Sequence, residues 1–229
     1  MRKAVVLGVL GLAGTLASPA FADDFSGVRL GLQLSSDKLE SDYFEGPVAA
    51  TTPTDQTSSN RFGYGFFGGW ALNKYLAFEG GLVGGTEYSA DIFPEAVPDG
   101  FYDVQRVDLW GGEVSVVGSF WIGKRFSIFG RAGMFGYKSE VSESFGDSED
   151  PSSKTVAKVE GDGFEPLFGI GVQTVLDGAL VRLEYKQTSI GDHRFFDNQG
   201  TAATGDDIEY NWRNSDISSL TFSIVWILK

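Results

Sequence analysis

RFGYGFFGGWALNKYLAFEGGLV, residues 61–83, is the stretch whose reading decides the fold. Phe62, Tyr64, Phe66 and Trp70 fall on one parity of an extended strand. Leu72-Asn73-Lys74 then reverses the chain, and Leu76, Phe78 and Leu82 resume the apolar parity. Glu79 stands on the opposite parity, in a strand otherwise made of Gly, Ala and large apolar residues. Successive side chains of a strand point to opposite faces, so this alternation describes a wall between two different solvents. An aromatic face backed by glycines and one charge is suited to lipid.

The chain ends bound the compartment. Arg2 and Lys3 precede a charge-free apolar run over residues 4–17, and Ala20-Phe21-Ala22 is a small-x-small cleavage site before Asp23-Asp24. This is the layout of a cleavable signal peptide over residues 1–22, and the run is shorter than the roughly 20 residues a spanning helix needs. Removing residues 1–22 from the 229 leaves 207 for one domain, 23–229. Two of 18 basic residues are lost and none of 31 acidic ones, so the net charge becomes −15. That balance disfavours nucleic acid, whose phosphates require Lys and Arg. Cysteine is absent, which excludes disulfides and thiol catalysis, and the single histidine, His193, excludes a multi-histidine metal site. No stretch beyond residue 22 is apolar for long enough to predict a transmembrane helix.

Alternating segments recur eight times, over residues 25–34, 61–71, 76–88, 105–121, 125–140, 164–176, 180–190 and 217–228. Leu72-Asn73-Lys74, Ile122-Gly123-Lys124 and Asp177-Gly178-Ala179 are tight turns, with Gly, Asn or Asp where positive φ is needed. The remaining connections, 35–60, 89–104, 141–163 and 191–216, are long, polar and acidic. Short and long alternate strictly, which gathers the tight turns at one end of a closed sheet and the loops at the other. The prediction is an all-β fold: an eight-stranded antiparallel up-and-down transmembrane β-barrel with short periplasmic turns and external loops.

Parity decides which face is the lumen. Glu79, Arg131, Arg182, Glu184 and Lys186 share one parity with many glycines, while the other is nearly free of charge. A soluble ligand-binding barrel of lipocalin type would place its apolar parity inward; lipid on the outside fits the pattern better. An eight-stranded interior is just wide enough to be filled by side chains, so these charges must form a paired network. Trp70, Tyr75, Trp121 and Trp226, near the tight turns, are candidates for one aromatic girdle, with Tyr64 and Tyr88 at the other interface.

GFFGGWALNKYLAFEGG (65–81), FSIFGRAGMFGYK (126–138) and LVRLEYKQTSIGDH (180–193) together resemble the eight-stranded outer-membrane barrel of the OmpA type, over residues 25–228. The resemblance implies a monomeric or weakly associating barrel, inserted by the outer-membrane assembly machinery, whose lumen is plugged by a salt-bridge network with a possible gating role. In that family's terms Glu79 and Glu184 are the two carboxylates, Arg131 a lumenal arginine and Arg213 the arginine that exchanges partners. Val117 falls where the family often has a lysine, with Lys186 or Arg182 as substitutes. The family's periplasmic peptidoglycan-binding domain is not expected, because the last segment runs to the end of the chain. The end, Trp226-Ile227-Leu228-Lys229, departs from a terminal aromatic assembly signal.

These readings imply an outer-membrane protein with periplasmic termini, in a structural, membrane-integrity or surface-interaction role. The expected surroundings are the bilayer and lipopolysaccharide, with no nucleic acid, no cofactor and no metal. Ser189, Asp192 and His193 are the residues an acyl-transfer enzyme would need, yet they also form an ordinary strand-to-loop junction, and no enzyme is expected. A small-conductance pore is the alternative, and a lipid-modifying enzyme a remote one.

Overall fold

A computed structural model describes residues 25–45, 55–91, 101–147, 154–176, 179–197 and 208–228. The leader expected over residues 1–22 lies outside them. The strands are β1 (Gly27–Glu45), β2 (Asp55–Ala71), β3 (Leu76–Gly85), β4 (Tyr88–Asp91), β5 (Phe101–Ile122), β6 (Phe126–Asp147), β7 (Lys154–Leu176), β8 (Ala179–Ile190), β9 (His193–Asp197) and β10 (Ile208–Leu228). β3 and β4 both pair with β5, and β8 and β9 both pair with β10, so the strands form eight staves. Every pairing is antiparallel, and β1 pairs with both β2 and β10, which closes the sheet. Among the described residues no helix is long and apolar enough to cross a membrane.

The tight turns have local causes. Asn73 Oδ1 accepts the amides of Tyr75 at 2.7 Å and Leu76 at 3.0 Å, an Asx-type closure of the β2–β3 reversal. Gly123 takes φ +73° between β5 and β6, a conformation that suits glycine. Leu176 pairs with Ala179, so the β7–β8 connection is confined to residues 177 and 178, which lie outside the described residues. Val28 pairs with Leu228, which puts both barrel ends of the chain beside the tight turns.

Along each stave the wall reverses its polarity. In the half nearer the turns, Leu32, Phe66, Leu82, Val114, Ile170, Leu183 and Phe222 are exposed on the outside while charged and hydroxyl side chains are buried inside. One step beyond the row Ser36, Phe62 and Leu220, the outward row becomes Lys38, Asn60 and Ser218. Trp110, Lys138 and Asp162 form a second exposed row in which an aromatic side chain gives way to charged ones. Past that level the interior turns apolar: Leu39, Tyr88, Val107, Leu109, Val141, Ile190 and Ile217 pack together inside. The lower half has the arrangement expected in lipid, the upper half that of a barrel in water.

This reversal explains where the strands exceed the sequence expectation. Residues 35–45, 55–60, 141–147, 154–163 and 208–216, read as loop, are strand. In their described part the outward positions are polar, with Lys38, Glu40, Ser58, Asn60 and Asn214 exposed, while Leu39 and Val141 are buried inside among Asp37, Ser41, Ser59 and Ser215. The stave after β3 also breaks: Thr86 and Glu87 both face outward, which shifts the parity so that Tyr88 points inward. Pro166, within β7, ends the ladder to β8, whose last pair is Phe168–Gln187. Its missing N–H falls on the side facing β8, where the Thr188 hydroxyl donates to its carbonyl at 3.0 Å.

Two substitution pairs test this architecture. Leu32→Arg should lower the unfolding free energy in lipid vesicles by about 2–4 kcal/mol, whereas Asn60→Arg, beyond the apolar band, should leave it unchanged. A Cβ at Gly133 would lie 2.2 Å from the Val114 carbonyl oxygen, while one at Gly118 meets nothing within 4 Å. Gly133→Ala should cost about 1–3 kcal/mol and Gly118→Ala nothing. Urea titration followed by heat-modifiable gel migration reads all four.

Candidate functional site

Glu79 projects inward from the middle of β3, between Gly69 of β2 and Ser115 of β5. Gly69 contributes no side chain, leaving room for the carboxylate. Three guanidinium groups converge on it. Arg182 Nη1 lies 2.9 Å and Arg131 Nη2 3.1 Å from Oε2, and Arg29 Nη1 lies 3.5 Å from Oε1. Arg131 also donates from Nε to Glu184 Oε1 at 2.7 Å and from Nη1 to Ser115 Oγ at 2.8 Å. Glu113 completes the network, 3.7 Å from Arg131 Nη1 and 3.2 Å from Lys186 Nζ. None of these seven charged side chains is more than 8% exposed.

Amides extend the network. Gln173 Oε1 accepts from Arg182 Nε at 2.9 Å, and its Nε2 donates to Ser119 Oγ at 3.1 Å. Lys186 Nζ also donates to Gln33 Oε1 at 3.4 Å. The Arg182 guanidinium carbon lies 5.3 Å from the centroid of Phe129 and 6.0 Å from that of Phe67, so its faces rest against apolar rings. Burial costs each ion several kcal/mol of hydration, and only dense pairing offsets it. Glu79 therefore bonds three cations where a surface carboxylate would bond water.

Apolar layers bound the network on both sides. Toward the turns, Phe67, Leu180 and Val225 are buried, with Phe25, Trp121, Val175 and Ile227 packed against them. Phe25 and Trp121 pack in a tilted arrangement with centroids 4.6 Å apart, and Trp121 Nε1 donates to the Lys74 carbonyl at 2.6 Å. Toward the loops stand the apolar cluster of the upper barrel and a second ion pair, Arg61 Nε to Asp37 Oδ2 at 3.2 Å. The Arg61 guanidinium also sits 4.6 Å from the Tyr88 ring centroid. Burial pushes the Tyr88 phenol well above its usual range, so it remains neutral.

The structure brings Glu79, Arg131, Arg182, Glu184 and Lys186 together. Arg182 and Lys186 both enter the network, on the inward face that also carries Val117. Arg213 does not join them. It pairs with Asp42 in the β10–β1 ladder, far toward the loops from Arg29, because β10 continues to Ile208 and carries that position above the charged layer. Two participants, Arg29 and Glu113, were missed, as was the separate Asp37–Arg61 pair. Each stands on the inward parity, where alternation alone marks it as lumenal.

The girdle needs two corrections. Trp121 faces the lumen and caps it, because odd positions of β5 point inward. Tyr88 is 1% exposed inside the upper barrel, because the Thr86–Glu87 break reverses its parity. Trp70, Trp226 and Tyr64 are exposed on the outer wall, and Tyr75 lies half-buried in the β2–β3 turn. Trp110 joins the outer wall at the polarity boundary, with Lys138 Nζ 5.6 Å from its ring centroid. The His193 side chain lies outside the described residues; Ser189 Oγ donates to Glu165 Oε2 at 3.5 Å. Among the described residues no group of His, Asp and Glu is placed to hold a metal.

Comparison with known proteins follows the geometry. Among curated protein sequences none matches the chain. Of solved structures, OprG from Pseudomonas aeruginosa aligns with a TM-score of 0.54 at 12% identity, covering 89% of this chain and 98% of that one. Neisserial surface protein A aligns with a TM-score of 0.47 at 11% identity, covering 86% and 97%. At 12% identity the likeness to OprG concerns the fold alone. The model of the outer membrane protein beta-barrel domain family matches residues 8–223. With its closed eight-stave wall, its outward apolar band and its buried charges, the chain belongs to the outer membrane protein beta-barrel domain family.

Proposed function

We propose that this barrel is a closed structural element of the outer membrane, with a wall-strengthening or surface-contact role rather than a conducting or catalytic one. The observation that carries this reading is the layering of the lumen. Seven buried charges lie between the Phe25–Trp121 cap and the apolar cluster of the upper barrel. An ion crossing it would have to part arginine–glutamate pairs and then shed its water among apolar side chains. Both termini face the periplasm in this reading, the polar upper barrel stands among lipopolysaccharide and water, and the assembly machinery inserts a monomer. The upper wall presents Lys38, Arg106, Asp108, Lys138 and Asp162 outward, a mixed surface open to contact with other molecules.

Three measurements test it. The protein refolded into planar bilayers should show no stable single-channel openings; sustained openings would establish the pore instead. Glu79→Ala, which leaves three buried guanidinium groups without their shared acceptor, should lower unfolding free energy by about 3–5 kcal/mol. A urea midpoint equal to that of the unaltered chain would show that the network carries no such load. An epitope inserted at residue 150, between β6 and β7, should be labelled on intact cells, and one after residue 229 only on permeabilised cells.

A further inference from the structure

The outer wall carries a groove across β1, β2 and β3. Leu32, Leu34, Tyr64, Phe66, Leu82 and Gly84 border a cleft of about 440 Å³. All but Gly84 present exposed apolar side chains. Gly84 keeps the cleft open, since a Cβ there would meet only the Tyr64 ring, at 3.9 Å. Leu34 pairs with Tyr64 one step below the row of Ser36 and Phe62, so the cleft lies at the loop-side edge of the apolar band. Its volume is at the small end of ligand clefts and suits one hydrocarbon chain rather than several.

Charges stand beside its open end. Val83 pairs with Gly111, so Gly84 stands one step on, level with Trp110. Trp110 pairs with Lys138 and Lys138 with Asp162. Lys138 is therefore two strands from Gly84, roughly 10 Å in backbone, and its Nζ leans over the Trp110 ring that lies between, 5.6 Å from the centroid. Lys38 and Arg106 also face outward, but each holds a carboxylate, Glu40 at 2.7 Å and Glu87 at 3.7 Å. Lys138 forms no ion pair among the described residues. The charge around it is negative: Asp162 stands beside it, and Asp108 and Glu140 face each other one step toward the loops. Such surroundings repel a purely anionic headgroup and favour one that carries both signs.

From this geometry we propose that the outer wall holds one zwitterionic glycerophospholipid of the ethanolamine class, with an acyl chain in the groove at Gly84 and its headgroup over Trp110. The phosphate accepts from Lys138 Nζ, and the ammonium group donates to Asp162. The bound lipid fixes the height and rotation of the barrel in the bilayer. The site depends on the membrane wall and not on whether the lumen conducts.

Native mass spectrometry of the full chain, released from bilayers of equimolar phosphatidylethanolamine, phosphatidylglycerol and lipid A, tests it. One phosphatidylethanolamine per barrel should be retained, about fivefold over phosphatidylglycerol, the size of an exposed charge contact. Gly84→Leu, for which the wall has room, should lower retention of both phospholipids about tenfold by displacing buried methylenes. Lys138→Gln should also lower both, whereas Asp162→Asn should shrink the preference for ethanolamine. Equal retention of the two phospholipids by the unaltered chain, preferential retention of lipid A, or retention unmoved by Gly84→Leu overturns the proposal. If a variant does not fold, the competition on the unaltered chain still decides it.

Discussion

Hydrocarbon offers no partner to a peptide N–H or C=O, and the architecture descends from that constraint. A strand in lipid must find every backbone partner in its neighbours, so the sheet has to close on itself. Closure of β1 onto β10 removes the last free edge. With eight staves it also narrows the interior until side chains fill it. Any charge admitted to that interior must then be met by an opposite charge on another strand. The network around Glu79 follows from wall closure as much as from the identity of Glu79.

A second constraint acts along the staves. The outer wall meets lipid over part of its height and water over the rest, and each strand crosses that boundary without interruption. The residues respond by exchanging roles. Phe62 and Leu220 are outward neighbours within the band, and Lys38, Asn60 and Ser218 replace them one step on. The interior changes in the opposite sense, from Glu79 and Arg131 to Leu39, Val107 and Ile217. The molecule thus has an ionic core below and a hydrophobic core above, within one uninterrupted sheet.

The lipid-facing half was legible in the sequence because its outward face is uniform. Phe62, Tyr64, Phe66 and Trp70 announce both strand and solvent, and the turn chemistry of Asn73 and Gly123 set the ends of the staves to within a residue or two. The upper half was hidden by the same rule. Once polar residues face outward, a strand above the membrane reads like a loop, and only the weak inward pattern of Leu39, Val107 and Val141 betrays it. Tyr88 was misplaced because parity cannot be counted across a two-residue break. Trp121 was misplaced because an aromatic near a turn suggests a girdle even where its parity points inward. Arg29 and Glu113 carried the right parity but stood outside the quoted motifs, so their part in the network emerged only from the geometry.

The partners of Glu79 are distant in the chain: 50 residues away for Arg29, 52 for Arg131 and 103 for Arg182. None can be acquired within a hairpin. A half-built barrel would bring unmatched charges toward hydrocarbon, a state several kcal/mol above either the unfolded chain in water or the closed wall. The plug consequently acts on the folding pathway as well as on the finished protein. Partial insertion is penalised and the last strand pairing is rewarded, so entry into the membrane and closure of the sheet become a single cooperative event, slowed by the long loops that must close first.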